Sequence, residues 1–331
     1  TIVDGVDLTV TTTLSAHSIT IGSSAAASLV AAGNNAISAT GDISGSGTLN
    51  ANALSSATLN VDGSMSVAVY NAAFLTTVGA NWTTPAVGFV HNSGTLRFDG
   101  NGTLNSSGLI CNAVDVAGIL SAAANFAVEQ DLTIGASGAL TAAAGVVISI
   151  GKDWINSRGV PGFTADLSST VDFVGAVATH TISGSTNFAS LRCTEAGSTL
   201  TFTAGQMFGV AGNLVVRGSL AQRIVINSSS AGTAFLLNAS AGTHDIAYVL
   251  IQDSNASPGI TMEAMASVDN TGNSNWLFYV GFKLVWDGST NSTWATAANW
   301  TPAQVPTADD IIRIPDVAND PQLFAPAVAL R

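Results

Sequence analysis

The sequence predicts an all-β chain: a right-handed parallel β-solenoid, or β-helix, over residues 1–280, followed over residues 281–331 by a β-rich connecting or capping module. Three observations predict it. The first 96 residues contain no lysine or arginine and only four acids, Asp4, Asp7, Asp42 and Asp62, whereas an isolated soluble helix would show a polar and commonly charged face on every turn. Nowhere does the chain offer the roughly 18 unbroken apolar residues of a membrane span. What recurs instead is a few alternating β-formers closed by Gly, Asn, Ser or Asp, as in Leu8-Thr9-Val10, Ser18-Ile19-Thr20-Ile21-Gly22 and Thr58-Leu59-Asn60-Val61-Asp62-Gly63.

These runs return about every 18 to 25 residues through the first 280 positions, the length that one coil of a solenoid requires. Each run reads as one rung. Rungs stacked in register at ~4.8 Å hydrogen-bond above and below, and their inward side chains form ladders of Val, Ile, Leu and Ala. Ile19, Leu59 and Ile134 are expected inside such ladders. Like charges stacked on one another repel, whereas Asn, Ser and Thr can repeat at corners, where glycines supply positive φ. A longer repetition is also visible. Gly79-Ala80-Asn81-Trp82 and Gly151-Lys152-Asp153-Trp154 lie 72 residues apart at tryptophan, Phe98 and Phe173 lie 75 apart, and Cys111 and Cys193 lie 82 apart. The expectation is that the same coils repeat with corner loops of different length.

Composition changes near Tyr279, beyond which lie five of the eight prolines and three of the six tryptophans. The chain as a whole carries a net charge of −12 with only 9% charged residues, which excludes the basic footprint of a nucleic-acid or anionic-membrane partner. At 47% hydrophobic residues and a mean hydropathy of +0.41 it is too apolar to be disordered. Two cysteines are too few for a disulfide framework. If they share a column three or four rungs apart, roughly 15 to 20 Å separates them and no bond can form, so both are expected as buried thiols. The chain starts at Thr1 without a leader, and it is rich in Ser, Thr, Asn, Gly and Ala. The expectation is a processed chain or an excerpt of a longer one, placed outside the cell or on its surface.

Catalytic motifs are absent. His17, His91, His180 and His244 are far apart, and there is no HExxH, G-x-S-x-G, phosphate loop or CxxC. His244-Asp245 lacks an obvious nucleophile and reads as a corner pair. A solenoid enzyme on polysaccharide would gather basic residues with acids on adjacent rungs, and the basic residues tell against it, Arg192, Arg217 and Arg223 being the densest basic set here. No cofactor is expected. The one ion with candidate ligands is calcium, through Asp309 and Asp310, near Asp316 and Asp320, and through Asp253 with Asn255, near Asp269. The plainer reading is that these acids cap turns. Trp82 and Trp154 are expected to anchor loops rather than stack on sugars, and Asn81, Asn101, Asn238 and Asn299 stand in glycosylation sequons.

Trp286-Asp287-Gly288-Ser289, Trp294, Ala297, Asn299-Trp300, Val305-Pro306 and Asp309-Asp310 form a W-x-G, W-x-x-A-x-N-W, V-P, D-D series. The series resembles that of large repeat-built bacterial extracellular surface proteins, adhesin-like or autotransporter-like. The stretch from Ile182-Ser183-Gly184-Ser185 to Asn273 and Trp276 is similar to their solenoid coils. In those proteins the tryptophan-rich pattern opens a solenoid, whereas here it closes one and would read into the first rung of a following copy. The resemblance thus implies a repeat unit or filament subunit that continues head to tail.

Open strand edges at both ends support the same expectation. The contacting residues would be Ile2, Val3, Leu8 and Val10 of one unit against Leu323, Phe324, Val328 and Leu330 of the preceding one, with residues 311–330 packing on residues 1–30. The expected function is a non-catalytic structural unit of a fibre or surface stalk whose partner is itself. The rivals are a carbohydrate-binding adhesin, with surface polysaccharide as partner, and a polysaccharide lyase or glycosidase. Neither nucleic acid nor membrane insertion is expected.

Overall fold

The computed structural model describes residues 1–22, 27–31, 35–51, 58–175, 178–240 and 242–322. Its spine is a parallel sheet of thirteen strands, one per turn, from Leu14–Ala16 through Thr95–Phe98, Trp154–Asn156 and Ile224–Ser228 to Val268–Asp269. The chain is therefore a β-solenoid of about 12 turns. At ~4.8 Å per ladder step the stack is roughly 58 Å long. A six-stranded sheet within residues 7–90 covers the other side of the early turns. From Thr95 onward each turn has three strands, one in the spine and another, which closes the turn, in a seven-stranded sheet from Leu109–Cys111 to Asp245–Ala247. The third lies in two four-stranded sheets, Asn101–Leu104 to Phe163–Ala165 and Thr186–Phe188 to Ser254–Asn255, which no ladder joins.

Period-two alternation decides what faces inward. In Thr95–Phe98, Ala113–Val116 and Val147–Ile150 every second residue is buried. Leu96, Val114, Leu132, Trp154, Ile182 and Phe202 form one continuous inward column of the thirteen-stranded sheet. Ile19, Leu59 and Ile134 are buried as expected. Turn length varies more than the sequence spacing suggests: 17 residues from Leu59 to its partner Thr76, and 28 from Trp154 to Ile182.

Corners are tied by polar side chains that reach one turn along the axis. Asp42 accepts the N–H of Ser64 at 2.8 Å, Asn81 that of Thr103 at 3.0 Å, Asn125 that of Val147 at 2.8 Å and Asp153 that of Thr181 at 2.7 Å. Each bond satisfies a backbone donor where the ladder is interrupted. Outward charges pair across neighbouring rungs, Arg97 with Asp115, Arg192 with Asp172 and Arg217 with Asp245. Stacking in register is thus compatible with charge when the signs alternate.

The long repetition is only partly a repetition of coils. Cys111, Val128, Ile150, Phe173 and Cys193 are successive partners in one column, so the 82-residue offset spans four ladder steps on one face. Both thiols are buried and free, ~19 Å apart along the axis. The shorter offsets change face. Trp82 bridges Met65 and Leu104, whereas Trp154 pairs with Leu132 and Ile182, and Phe98 and Phe173 likewise stand in different sheets. Because turns differ in length, a fixed offset drifts around the perimeter.

The C-terminal module is built on a mixed sheet, in which Lys283–Trp286 runs antiparallel to Trp300–Thr301 and parallel to Ile311–Arg313. Trp300 packs edge-on against both Trp286 and Trp294, at 5.0 and 4.7 Å between ring centres. This core continues into the solenoid through Ala247 and Ala266. Tyr248 meets Phe282 edge-on, and Lys283 pairs with Glu263. The module is therefore packed onto the corner of the last turns.

Candidate functional site: the ends of the solenoid

Among the described residues the first turn has strand neighbours on one side. Asp7–Val10 pairs with Ser28–Ala31, and Leu14–Ala16 pairs with Ile37–Ala39; both are the outermost strands of their sheets among the described residues. Ile2 is tied down by its N–H to the Thr20 carbonyl at 2.8 Å and by its own carbonyl to Gly22 at 2.7 Å. The four residues expected at this surface divide. Ile2 and Val10 turn into the core, while Val3 and Leu8 are 62% and 44% exposed. Val6, which the alternation did not single out, joins them at 42%. Beside this apolar set Asp7 accepts a hydrogen bond from Ser28.

The opposite end closes on Val268–Asp269, the last strand of the same thirteen-stranded sheet, with Val268, Leu277 and Val280 exposed. Leu323, Phe324, Val328 and Leu330 lie outside the described residues. Within residues 311–330, Ile311–Arg313 pairs inside its own module as an edge strand, with Ile311 and Ile314 largely exposed.

The acids proposed for calcium already accept hydrogen bonds from the chain. One oxygen of Asp310 takes the N–H of Phe282 at 2.7 Å, and the other takes the N–H and hydroxyl of Thr307 at 2.7 and 2.9 Å. Asp253 is buried and accepts from Gly232, and Asn255 caps Ser257. Asp309 is exposed beside Asp310. No group of three or more His, Cys, Asp or Glu gathers among the described residues.

His244 accepts the Leu214 N–H at Nδ1 and faces the Ser240 carbonyl through Nε2, which commits both ring nitrogens to the backbone. The basic set is engaged as well: Arg192 and Arg217 pair with acids, and Arg223 donates to the Ala266 carbonyl. Trp82 and Trp154 correct the expectation of loop anchors. Both are inside the solenoid, Trp82 against Tyr70 and Phe89, Trp154 against Phe163 and Phe188. Each sits in a strand-like pairing, and the ladder turns its ring inward.

No protein-family profile, curated protein or solved structure matches the chain.

Proposed function

We propose that this chain is a non-catalytic structural unit of an extracellular fibre or cell-surface stalk, added end to end to copies of itself. The observation that carries the reading is the pair of strands, Leu14–Ala16 and Val268–Asp269, that are outermost at opposite ends of one parallel sheet among the described residues. A parallel ladder can be extended by a further strand without reversing direction. The first strand of one unit and the last of another therefore present complementary edges, each bordered by exposed apolar residues. Two different surfaces meet in such a contact, so it propagates instead of closing. Placement outside the cell draws support from the low charge content and from thiols that are buried and poorly ionised. Burial pushes Cys111 up to about 12 and Cys193 up to about 11, and such thiols resist oxidation.

The test is sedimentation and electron microscopy over a range of concentrations. The expected result is rods that lengthen in steps of one unit. Val6→Lys with Leu8→Lys, both on exposed positions, should leave the circular dichroism spectrum unchanged and reduce association at least tenfold. Native chains that stay monomeric throughout, or rods unaffected by the two lysines, would overturn the reading.

A further inference from the structure

The longest step along the thirteen-stranded sheet, between Trp154–Asn156 and Thr179–Ser183, coincides with the place where the third face loses its ladder between Phe163–Ala165 and Thr186–Phe188. Interrupting a continuous stack forgoes backbone hydrogen bonds, and departures of this kind concentrate where function requires them. Here the departure leaves a cleft on the solenoid corner. Asn156, Ser157 and Arg158 wall it on one turn, and Ser183, Ser185 and Gln206 on the next two.

A buried network holds these walls in place. Asn156, 1% exposed, donates through Nδ2 to the Gly159 carbonyl at 2.8 Å and to Thr186 Oγ1 at 3.0 Å. Thr186 in turn donates to the Gly184 carbonyl at 2.8 Å and accepts from Trp154 Nε1 at 3.2 Å. Gly184 has φ +79°, and a Cβ there would collide with the Asn156 carbonyl. Its N–H fixes Gln206 by bonding Oε1 at 2.8 Å. Arg158 hooks Nη1 onto the carbonyls of Gly138 and Ser137 at 3.1 and 3.4 Å.

The polar groups are thus anchored at one end and unspent at the other. Gln206 Nε2, Arg158 Nη2 and Nε, and the hydroxyls of Ser157 and Ser185 have no partner among the described residues. Among the described residues no carboxylate lines the cleft, although the chain carries a net charge of −12. A donor-rich, acid-free, preorganised concavity favours a ligand rich in acceptors and negatively charged. Past Gly159 lies a groove with Pro161 and the exposed Val160 and Leu167, where the C–H face of a sugar ring can rest.

We infer that this cleft binds a carboxylate-bearing saccharide, with the carboxylate on Arg158 and Gln206 and the ring hydroxyls on the serines. One guanidinium among amides and hydroxyls suits a single carboxylate set among hydroxyls, whereas a phosphate or sulfate cluster would require several cations. Three turns span about 10 Å, the length of a disaccharide.

Titration calorimetry of the full chain with an oligogalacturonate tests the inference. Comparators are the same oligosaccharide with its carboxylates reduced to alcohols, and inorganic sulfate. The uronate should bind at least tenfold more tightly than the neutral form. Arg158→Ala should lose that preference, Arg158→Lys should keep part of it, and Arg97→Ala, on a different surface, should change nothing. Chemical-shift perturbation should fall on Ser183–Ser185 and Gln206. No saturable uronate binding, equal affinity for the neutral form, equal affinity for sulfate, or uronate binding that survives Arg158→Ala would each overturn it.

Discussion

His180 ties the stability of the fold to pH, its side chain being wholly buried. Its Nδ1 donates to the Lys152 carbonyl at 2.8 Å, its ring packs on Phe173, and Nε2 has no partner. Burial pulls its pKa below the ordinary 6.5, because a charged ring there would be desolvated. The unfolded chain takes up a proton near pH 6.5 and the folded chain resists it. Stability is therefore full above that pH and is lost as pH falls through 6.5 toward the folded value. The urea midpoint should drop between pH 7.5 and 5.5, and His180→Asn, which keeps the donor to Lys152, should flatten that slope. Identical slopes in both proteins would refute the assignment. Nothing local in the sequence marks this histidine, since its partner lies 28 residues away. Ile19, Leu59 and Ile134 were legible because alternation alone fixes which face a strand residue takes.

Among the elements, the C-terminal module has one loop closed by a single side chain. Asn299 accepts the N–H groups of Thr290 and Asn291 at 2.9 and 3.0 Å and donates to Asn291 Oδ1 and the Thr293 carbonyl at 2.9 and 3.0 Å. It closes the loop that presents Trp294 to Trp300. Its Nδ2 is fully engaged and buried, so this sequon is not a glycan site in the folded chain. Asn299→Ala should cost about 2–4 kcal/mol, the loss of several buried hydrogen bonds. The readout is a red-shifted tryptophan emission with the far-ultraviolet strand signal retained; an unshifted spectrum would count against the role. The tryptophan-rich pattern marked the module in the sequence. What the sequence hid was the unevenness of the turns, and this is why the tryptophan offset pointed to equivalent positions that lie on different faces. The cleft was hidden for a related reason, because Asn156, Ser183 and Gln206 meet only once the turn lengths are known.

At the scale of the whole molecule each turn touches mainly its neighbours, so position along the stack decides the cost of a defect. Ile134→Asp would bury an unpaired charge in the middle and should lower stability by several kcal/mol. Val10→Asp, in the first turn, should fray one end and leave most of the strand signal intact at the same temperature. Hydrogen exchange resolved by segment distinguishes the two, and equal, global loss of protection would contradict a stack held by nearest neighbours. The open first edge was readable in the sequence as an apolar strand with few charges. Its burial pattern was not, since only packing separates Ile2 and Val10 from Val3 and Leu8.

The spread of turn lengths along the thirteen-stranded sheet, from 17 to 28 residues, also separates two quantities that are tied together in most proteins. Every turn advances the axis by one ladder step of ~4.8 Å, whatever its circumference. Residues inserted at a corner such as Arg158-Gly159 thicken the rod and leave its reach untouched. Removing one complete turn shortens it by a single step and returns the flanking strands to register. The molecule is a ruler graduated in turns, and its girth can be recut for new surface chemistry without moving the marks.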